Sequence, residues 1–239
     1  MTALREHIAT YTDSIEQQSI IGVGAVTTTL SAATTLAAAL NSGAICLPVL
    51  PGTASTARQV AAAFASVVAL EEDPARPLNT LVLKGIKMPP IASRLGRGEQ
   101  ETCLANGVTP LEVGPGDTVQ IVRAVSTYTK AASGADDVAL LDITTIRTLY
   151  FVRQSCRERV RLRFPRAKLS ARTPAAVRSE LLDVLKKLEE LEIVENVDEN
   201  ADALIVERSE QDPNRLNASI PVDIVNGLHV FAGRIDLLL

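Results

Sequence analysis

The sequence predicts an α/β protein, in which a parallel-type part is followed by a smaller α+β part. Between residues 19 and 83, short apolar runs alternate with helix-period segments, which is typical of strand–helix–strand units. After residue 172, one amphipathic helix precedes several strand-like segments. The chain has 239 residues, of which 46% are hydrophobic, so it is long enough to form two modest domains.

The first part begins with an amphipathic helix at residues 3–17. Strands are then predicted at residues 19–26, 44–50 and 78–83, and helices at residues 31–40 and 56–71. Because the connections are short, we predict parallel strands joined by right-handed crossovers. The turn at residues 51–56 could bind an anion, but an ordinary helix N-cap is the favoured interpretation.

A hairpin is predicted next. A short helix at residues 99–105 precedes a strand at 108–113, and the Gly-Pro-Gly-Asp turn at 114–117 leads into an alternating strand. We take residues 118–168 as the junction of two lobes. The predicted domains are accordingly residues 1–130 and residues 131–239.

An arginine-rich helix follows the junction. Apolar residues at helical spacing give it one buried face, formed by Leu149, Val152, Cys156 and Val160. Arg153, Arg157 and Arg161 recur every fourth residue and form one stripe beside that face.

Charge is unevenly distributed along the chain. The net charge is −4, which argues against a general nucleic-acid binder. Residues 147–172 nevertheless contain nine basic residues and one acidic residue, so the other 27 of the 28 acidic residues lie elsewhere. Such asymmetry is typical of surfaces that meet partners. The alternative is that these charges face solvent or pair within the fold.

The second part continues with a helix that starts at Thr173 and Pro174, with Thr173 as the N-cap. Strands are predicted at residues 193–197, 203–208, 217–226 and 228–239. An apolar strand at the very end of the chain either pairs within its own sheet or is offered to the sheet edge of a neighbour.

The sequence predicts neither a catalytic site nor a cofactor or metal site. It contains no phosphate-binding glycine loop and no nucleophile elbow. The two histidines stand at opposite ends: we expect His7 to face water and His229 to be a structural strand residue. The three cysteines are far apart among apolar neighbours, which predicts buried thiols. No run is apolar enough to cross a membrane, and the N-terminus lacks a signal peptide.

Several segments, taken together and in order, resemble tail sheath proteins of Mu-like contractile phages. They read LNSGAICLPVLPGT, EEDPARPLNTLVLKGI, VQIVRAVSTYT, RFPRAKL and DPNRLNASIPVDIVNGLHVFA, together with residues 99–107. They are spread over nearly the whole chain, and their joint order is more specific than any one of them. Full-length members are longer, so we expect this chain to correspond to the C-terminal two-thirds or so, without the N-terminal region.

The resemblance implies a structural role. Sheath subunits form stacked hexameric rings around a tail tube and contract to drive that tube through a bacterial envelope. The implied fold is an α/β sheath domain, subtilisin-like in fold only, followed by a smaller α+β domain near the tube. The implied partners are other sheath subunits and the tube protein, without nucleic acid, membrane insertion or cofactor. The implied location is the virion tail, assembled in the host cytoplasm.

Two contact sites are predicted within this interpretation. We expect Arg153, Arg157 and Arg161 to face an acidic tube surface; the alternative is pairing with residues 180–212 of the same or the next subunit. We expect the final strand to be donated to a neighbouring subunit through Leu228, Val230, Ala232, Ile235 and Leu237.

Two other function classes remain open at this point. One is an α/β enzyme or other binding domain without a recognisable catalytic motif, which would show a deep polar pocket or a strongly perturbed titratable cluster. The other is a nucleic-acid binder using the arginine run. Base stacking would require interleaved aromatic residues, and only Tyr150, Phe151 and Phe164 lie there.

Overall fold

The computed structural model describes residues 1–13 and 16–234 and divides them into two compact units. The first unit comprises Met1–Glu72, Arg76–Ile146 and the chain from Gly227 to the end of the described residues. The second comprises Asp73–Ala75 and Arg147–Asn226. Helices and strands are mixed in both. The predicted domain boundary at residues 130 and 131 stays a prediction.

Two helices of the first unit begin after a threonine whose side chain caps them. The helices of this unit are α1 (Thr2–Tyr11), α2 (Leu30–Leu40), α3 (Ala57–Leu70) and α4 (Arg97–Ala105). In α3 the Thr56 hydroxyl accepts from the Gln59 backbone N–H while the Gln59 side chain accepts from the Thr56 N–H, a capping box that satisfies two otherwise unpaired donors. Helix α2 ends at Asn41, which is in the left-handed conformation.

The strands of this unit are short. They are β1 (Gly22–Val23), β2 (Ile45–Cys46), β3 (Pro48–Val49), β4 (Thr109–Gly114) and β5 (Thr118–Ile121). Strands β1 and β2 pair in parallel on either side of α2, as predicted. The predicted hairpin is also present, because β4 and β5 pair antiparallel around a turn in which Gly116 has a φ of 72°.

The third parallel strand predicted at residues 78–83 does not form. This segment is instead joined to β5 by a single antiparallel bridge between Val82 and Gln120. Thr80 has a φ of 63°, which breaks the extended backbone that a strand requires. The apolar pattern there reflects burial, since Leu78 and Leu83 are almost fully buried.

The core of the first unit forms where α3 packs against the strands. Phe64 and Ile121 are fully enclosed there, together with Leu50 and Leu111 at about 1% exposure. Two smaller clusters form around Ala33 and Ala37 of α2 and around Ile8 of α1. Apart from Phe64, the buried residues of these clusters are aliphatic side chains and cysteines.

The second unit is built on two helices and two short sheets. The boundary between the units falls within α5 (Ile143–Arg163), which is followed by α6 (Thr173–Glu190). The strands are β6 (Val194–Glu195), β7 (Ile205–Arg208), β8 (Leu216–Ser219) and β9 (Asp223–Ile224). Strand β6 pairs with β9 and β7 pairs with β8, both antiparallel.

One prediction at the edges of these elements is wrong, and another finds no pairing within the described chain. Thr173 is the first residue of α6 and not its N-cap, because its hydroxyl accepts from the Ser170 N–H and donates to the Lys168 carbonyl in the preceding turn. The strand predicted at residues 228–239 is not formed in its described part, residues 228–234, which include His229. Ile235 and Leu237 lie outside the described residues.

Candidate functional site

The predicted arginine stripe lies on α5, beside a seam that is buried within the second unit. Val152 and Cys156 are each 3% exposed and pack with apolar residues of α6, including Leu181 and Leu185. This packing fixes the rotation of α5 about its axis. The rotation in turn decides which arginines flank the seam.

The three stripe residues share one flank of this seam. Arg153 and Arg157 are half-buried and Arg161 is exposed. The Arg153 guanidinium lies 5.0 Å from the centre of the Tyr150 ring, within the range of a cation–π contact. Arg161 makes no hydrogen bond or ion pair with any residue that the structure describes.

The stripe concentrates positive charge. Burial holds the pKa of Arg157 below its ordinary value, and the charges of Arg153 and Arg161 lower that pKa further. Arginine still remains charged at neutral pH, because its ordinary pKa is so high. Such a surface favours an anionic partner, since opposite charge would relieve the mutual repulsion.

A second set of arginines lies on the other flank of the seam. Arg159 contacts Glu180 at 3.4 Å and Asp183 at 2.9 Å, and Arg163 contacts Glu180 at 3.0 Å. Lys187 also reaches Asp183, at 3.1 Å. Sequence reasoning missed this network, because Arg159 and Arg163 have the same four-residue spacing as the stripe. The pairing with residues 180–212 that was the alternative for the stripe is made here by these two arginines.

The C-terminal tail is the other predicted contact site. Leu228 is 79% exposed, Val230 68% and Phe231 88%, and Ala232 is exposed as well. Three large apolar side chains in water within four residues are unusual for a monomeric surface. The described part of the tail thus presents apolar groups that this chain leaves uncovered.

A polar pocket of about 140 Å³ lies in the first unit. Its polar lining includes Arg94, Gln100 and Glu112. Glu112 already accepts from Gln100 at 3.3 Å and from Gln120 at 2.8 Å, and Arg94 donates to the Pro89 carbonyl at 3.3 Å.

The titratable groups of the described chain include two deeply buried thiols. Burial raises the pKa of Cys103 and of Cys156 to about 11, so both thiols stay protonated and unreactive at neutral pH. Within residues 1–13 and 16–234, no three His, Cys, Asp or Glu side chains are grouped to hold a metal ion. Among those same residues, no helix is long and apolar enough to span a membrane.

Two family models match the chain one after the other. The phage tail sheath protein central domain matches residues 1–127, and the phage tail sheath C-terminal domain matches residues 135–237. The Mu-like prophage FluMu tail sheath protein of Haemophilus influenzae is 34% identical in an alignment of 192 residues that covers 75% of this chain. The chain spans 39% of the length of that curated relative.

Solved structures show the same fold at low sequence identity. The sheath tail protein of Listeria innocua has a TM-score of 0.73 and 14% identity, over 94% of this chain and 50% of that one. The sheath tail protein of Desulfitobacterium hafniense has a TM-score of 0.65 and 15% identity, over 87% of this chain and 46% of that one.

Proposed function

This chain belongs to the phage tail sheath family, and from that premise we propose that it is a structural subunit of a contractile tail sheath. In this role it polymerises with copies of itself as stacked hexameric rings around a tail tube. Contraction of the rings drives the tube through the bacterial envelope. The observation that carries the proposal is the match of central-domain and C-terminal-domain models, in family order, to residues 1–127 and 135–237.

The finer assignments follow from the family. Residues 1–130 form part of the sheath domain, subtilisin-like in fold only, and residues 131–239 form the C-terminal domain. The subunit has no enzymatic activity and needs no cofactor, because a contractile polymer stores its energy in subunit contacts. Its partners are sheath subunits and the tube protein. It is a virion tail component that assembles in the host cytoplasm.

The C-terminal tail supplies the proposed permanent link between subunits. Strand addition suits a moving polymer, because main-chain hydrogen bonds persist while the subunits rotate. The exposed side chains of Leu228, Val230 and Ala232 begin the donated strand, which continues through Ile235 and Leu237. The second unit offers a compatible acceptor, because in the described chain β7 pairs with β8 alone and keeps one edge open.

The arginine stripe supplies the proposed grip on the tube. Charge pairs set register at modest net affinity, which suits a surface that must slide. Arg153, Arg157 and Arg161 face an acidic tube surface in this proposal. Arg161 supports it, because its side chain is exposed and makes no hydrogen bond or ion pair with any described residue.

Charge reversal tests the grip directly. We expect Arg153→Glu, Arg157→Glu and Arg161→Glu in one chain to weaken co-sedimentation with purified tube at least tenfold, because attraction becomes repulsion. The matched control reverses Arg166, Lys168 and Arg172, which come from the same basic run and are all exposed. Unchanged tube binding by the stripe variant, or an equal loss of tube binding in both variants, would contradict the assignment of the grip to the stripe.

Microscopy tests the proposal as a whole. The purified chain, alone and with tube protein, is examined by negative stain at increasing concentration. Rings with six-fold symmetry, or tubes of stacked rings, are the expected result. Single particles of one-chain size in both samples would contradict the sheath role.

A further inference from the structure

The C-terminal tail is held to the first unit near its root. His229 is the one residue between 228 and 234 that is not exposed, and its side chain is only 13% exposed. Its neighbours Leu228 and Val230 both point into solvent. A polar ring that is buried between two exposed apolar side chains calls for a specific explanation.

The ring lies between two polar groups of the first unit. His229 Nδ1 lies 3.2 Å from the Asn79 amide nitrogen and 3.3 Å from the Asn79 amide oxygen. His229 Nε2 lies 3.4 Å from Asp142 Oδ1. Both ring nitrogens therefore have a partner, as a buried imidazole requires.

Asp142 is itself held in place. Arg123 donates to its two carboxylate oxygens, from Nε at 2.9 Å and from Nη2 at 2.6 Å, which is the bidentate geometry of a strong pair. The carboxylate is thus oriented before the histidine arrives. Such preorganisation lowers the ordering cost of the contact.

The arrangement selects one form of the neutral ring. With the proton on Nε2, the ring places that N–H beside the Asp142 carboxylate, 3.4 Å from Oδ1, and accepts at Nδ1 from the Asn79 amide. Burial of the ring and the Arg123 charge oppose the cationic form, while Asp142 alone favours it. The neutral Nε2–H tautomer therefore satisfies every group in the cluster.

The backbone at the root of the tail is closely fitted as well. A Cβ atom on Gly227 would lie 2.6 Å from Pro77 Cγ and 3.1 Å from His229 Nε2. Only glycine allows this approach without displacing its neighbours. The chain therefore enters the histidine site along a path that Pro77 and Gly227 define together.

We propose that Asn79, Arg123 and Asp142 form a receptor for His229. In this proposal His229 is the positioning residue that fixes where the C-terminal tail leaves the first unit. The proposal rests on the strand donation by the C-terminal tail that is proposed above. A tail that starts from a fixed point searches a smaller volume for its acceptor, so its effective concentration there is higher. The same anchor keeps the exposed apolar residues next to it from moving freely.

Imidazole NMR tests the receptor without reference to assembly. The chain has two histidines, and a His7→Gln variant identifies which long-range ¹H–¹⁵N signals belong to His229. We expect a fixed Nε2–H tautomer at pH 7.5, and loss of that tautomer preference in Asn79→Ala. An averaged mixture of tautomers in the unsubstituted chain would overturn the receptor.

Backbone relaxation tests the anchor. We expect order parameters near 0.8 at residues 228–230, falling below about 0.6 in His229→Ala and in Gly227→Ala. His7→Ala is the matched control, because His7 is an exposed histidine in α1, and it should change nothing at the tail. Low order parameters in the unsubstituted chain, or no change in His229→Ala, would overturn the anchor.

Assembly kinetics separate this inference from the proposed function. We expect His229→Ala to slow polymer formation about tenfold, while His7→Ala matches the unsubstituted chain. Equal rates for all three would overturn the positioning role even if polymers form. A chain with the NMR signature of the anchor that never polymerises would overturn the sheath role and leave the receptor standing.

Discussion

The two compact units use their polar side chains in different ways. In the first unit, buried polar groups are turned inward: the Thr109 hydroxyl exchanges hydrogen bonds with both the N–H and the carbonyl of Val125, each at 2.9 Å. In the second unit, charged side chains lie at the surface of α5, where Arg159 and Arg163 pair with Glu180 of α6 and Arg161 is exposed.

This contrast indicates which part of the chain we expect to contact other subunits. Three of the four apolar clusters described lie in the first unit, so most of the buried apolar packing is there. The second unit has one cluster, which includes residues of α5 and α6, and positive charge is concentrated beside it. Substitutions of buried residues in the first unit should lower the free energy of unfolding. Substitutions on a contact surface should change that free energy little and weaken binding instead.

The largest expected effect falls on the core of the first unit. Phe64→Ala should lower the free energy of unfolding by about 3–5 kcal/mol, because it removes a fully buried ring from the largest cluster and leaves a cavity. Urea unfolding followed by circular dichroism measures this loss. A loss below about 1 kcal/mol would contradict this account, since the core around Phe64 would then not be closely packed.

A smaller effect is expected from the paired arginines of α5. Arg159→Ala should lower the free energy of unfolding by about 1 kcal/mol, because Arg159 is 20% exposed and its contacts with Glu180 and Asp183 are partly shielded from water. The loss should shrink at high salt, where ion pairs are screened. A loss that does not depend on salt would show that the side chain acts through packing alone.

The stripe should behave differently from its neighbours. Arg161→Gln should leave the free energy of unfolding within about 0.5 kcal/mol of the original, because the Arg161 side chain is exposed and makes no hydrogen bond or ion pair with any described residue. The same denaturation experiment, run beside Arg159→Ala, measures the contrast. If the two variants lost the same stability, the division of α5 into structural and contact arginines would be wrong.

The smallest effect concerns pH and the tail. Burial, and then the Arg123 charge, hold the pKa of His229 below its ordinary value, while Asp142 raises it. A lowered pKa means that the docked ring contributes fully above about pH 6.5 and loses that contribution as the pH falls. We expect order parameters at residues 228–230 to fall between pH 7.5 and pH 5. Tighter docking at pH 5 would show that the contact with Asp142 outweighs burial.

Local chemistry made much of the fold predictable. The helix limits at Asn41 and Thr56 follow from cap residues, and the β4–β5 hairpin follows from the glycine turn at 114–117. The bend at residues 78–83 was not predictable, because the apolar pattern of this segment reflects burial. Thr80 has a left-handed backbone, and threonine is not a residue type that commonly indicates such a turn.

The site was predictable only in part, for a physical reason. Residues 153, 157 and 161 and residues 159 and 163 have the same spacing, so sequence alone could not say which set meets α6. That choice depends on the rotation of α5, which the buried Val152 and Cys156 set through tertiary packing. The partners of His229 were likewise out of reach, because Asn79 lies 150 residues away in the sequence.

The central claim is that this chain is a sheath subunit that associates through its tail. The measurement that tests it most directly is the mass in solution by light scattering, for the chain and for a variant that ends at Gly227, over a range of concentrations. The account predicts masses of six chains or more for the first and of one chain for the second. One-chain mass for the full sequence at every concentration, or equal large masses for both, would contradict it.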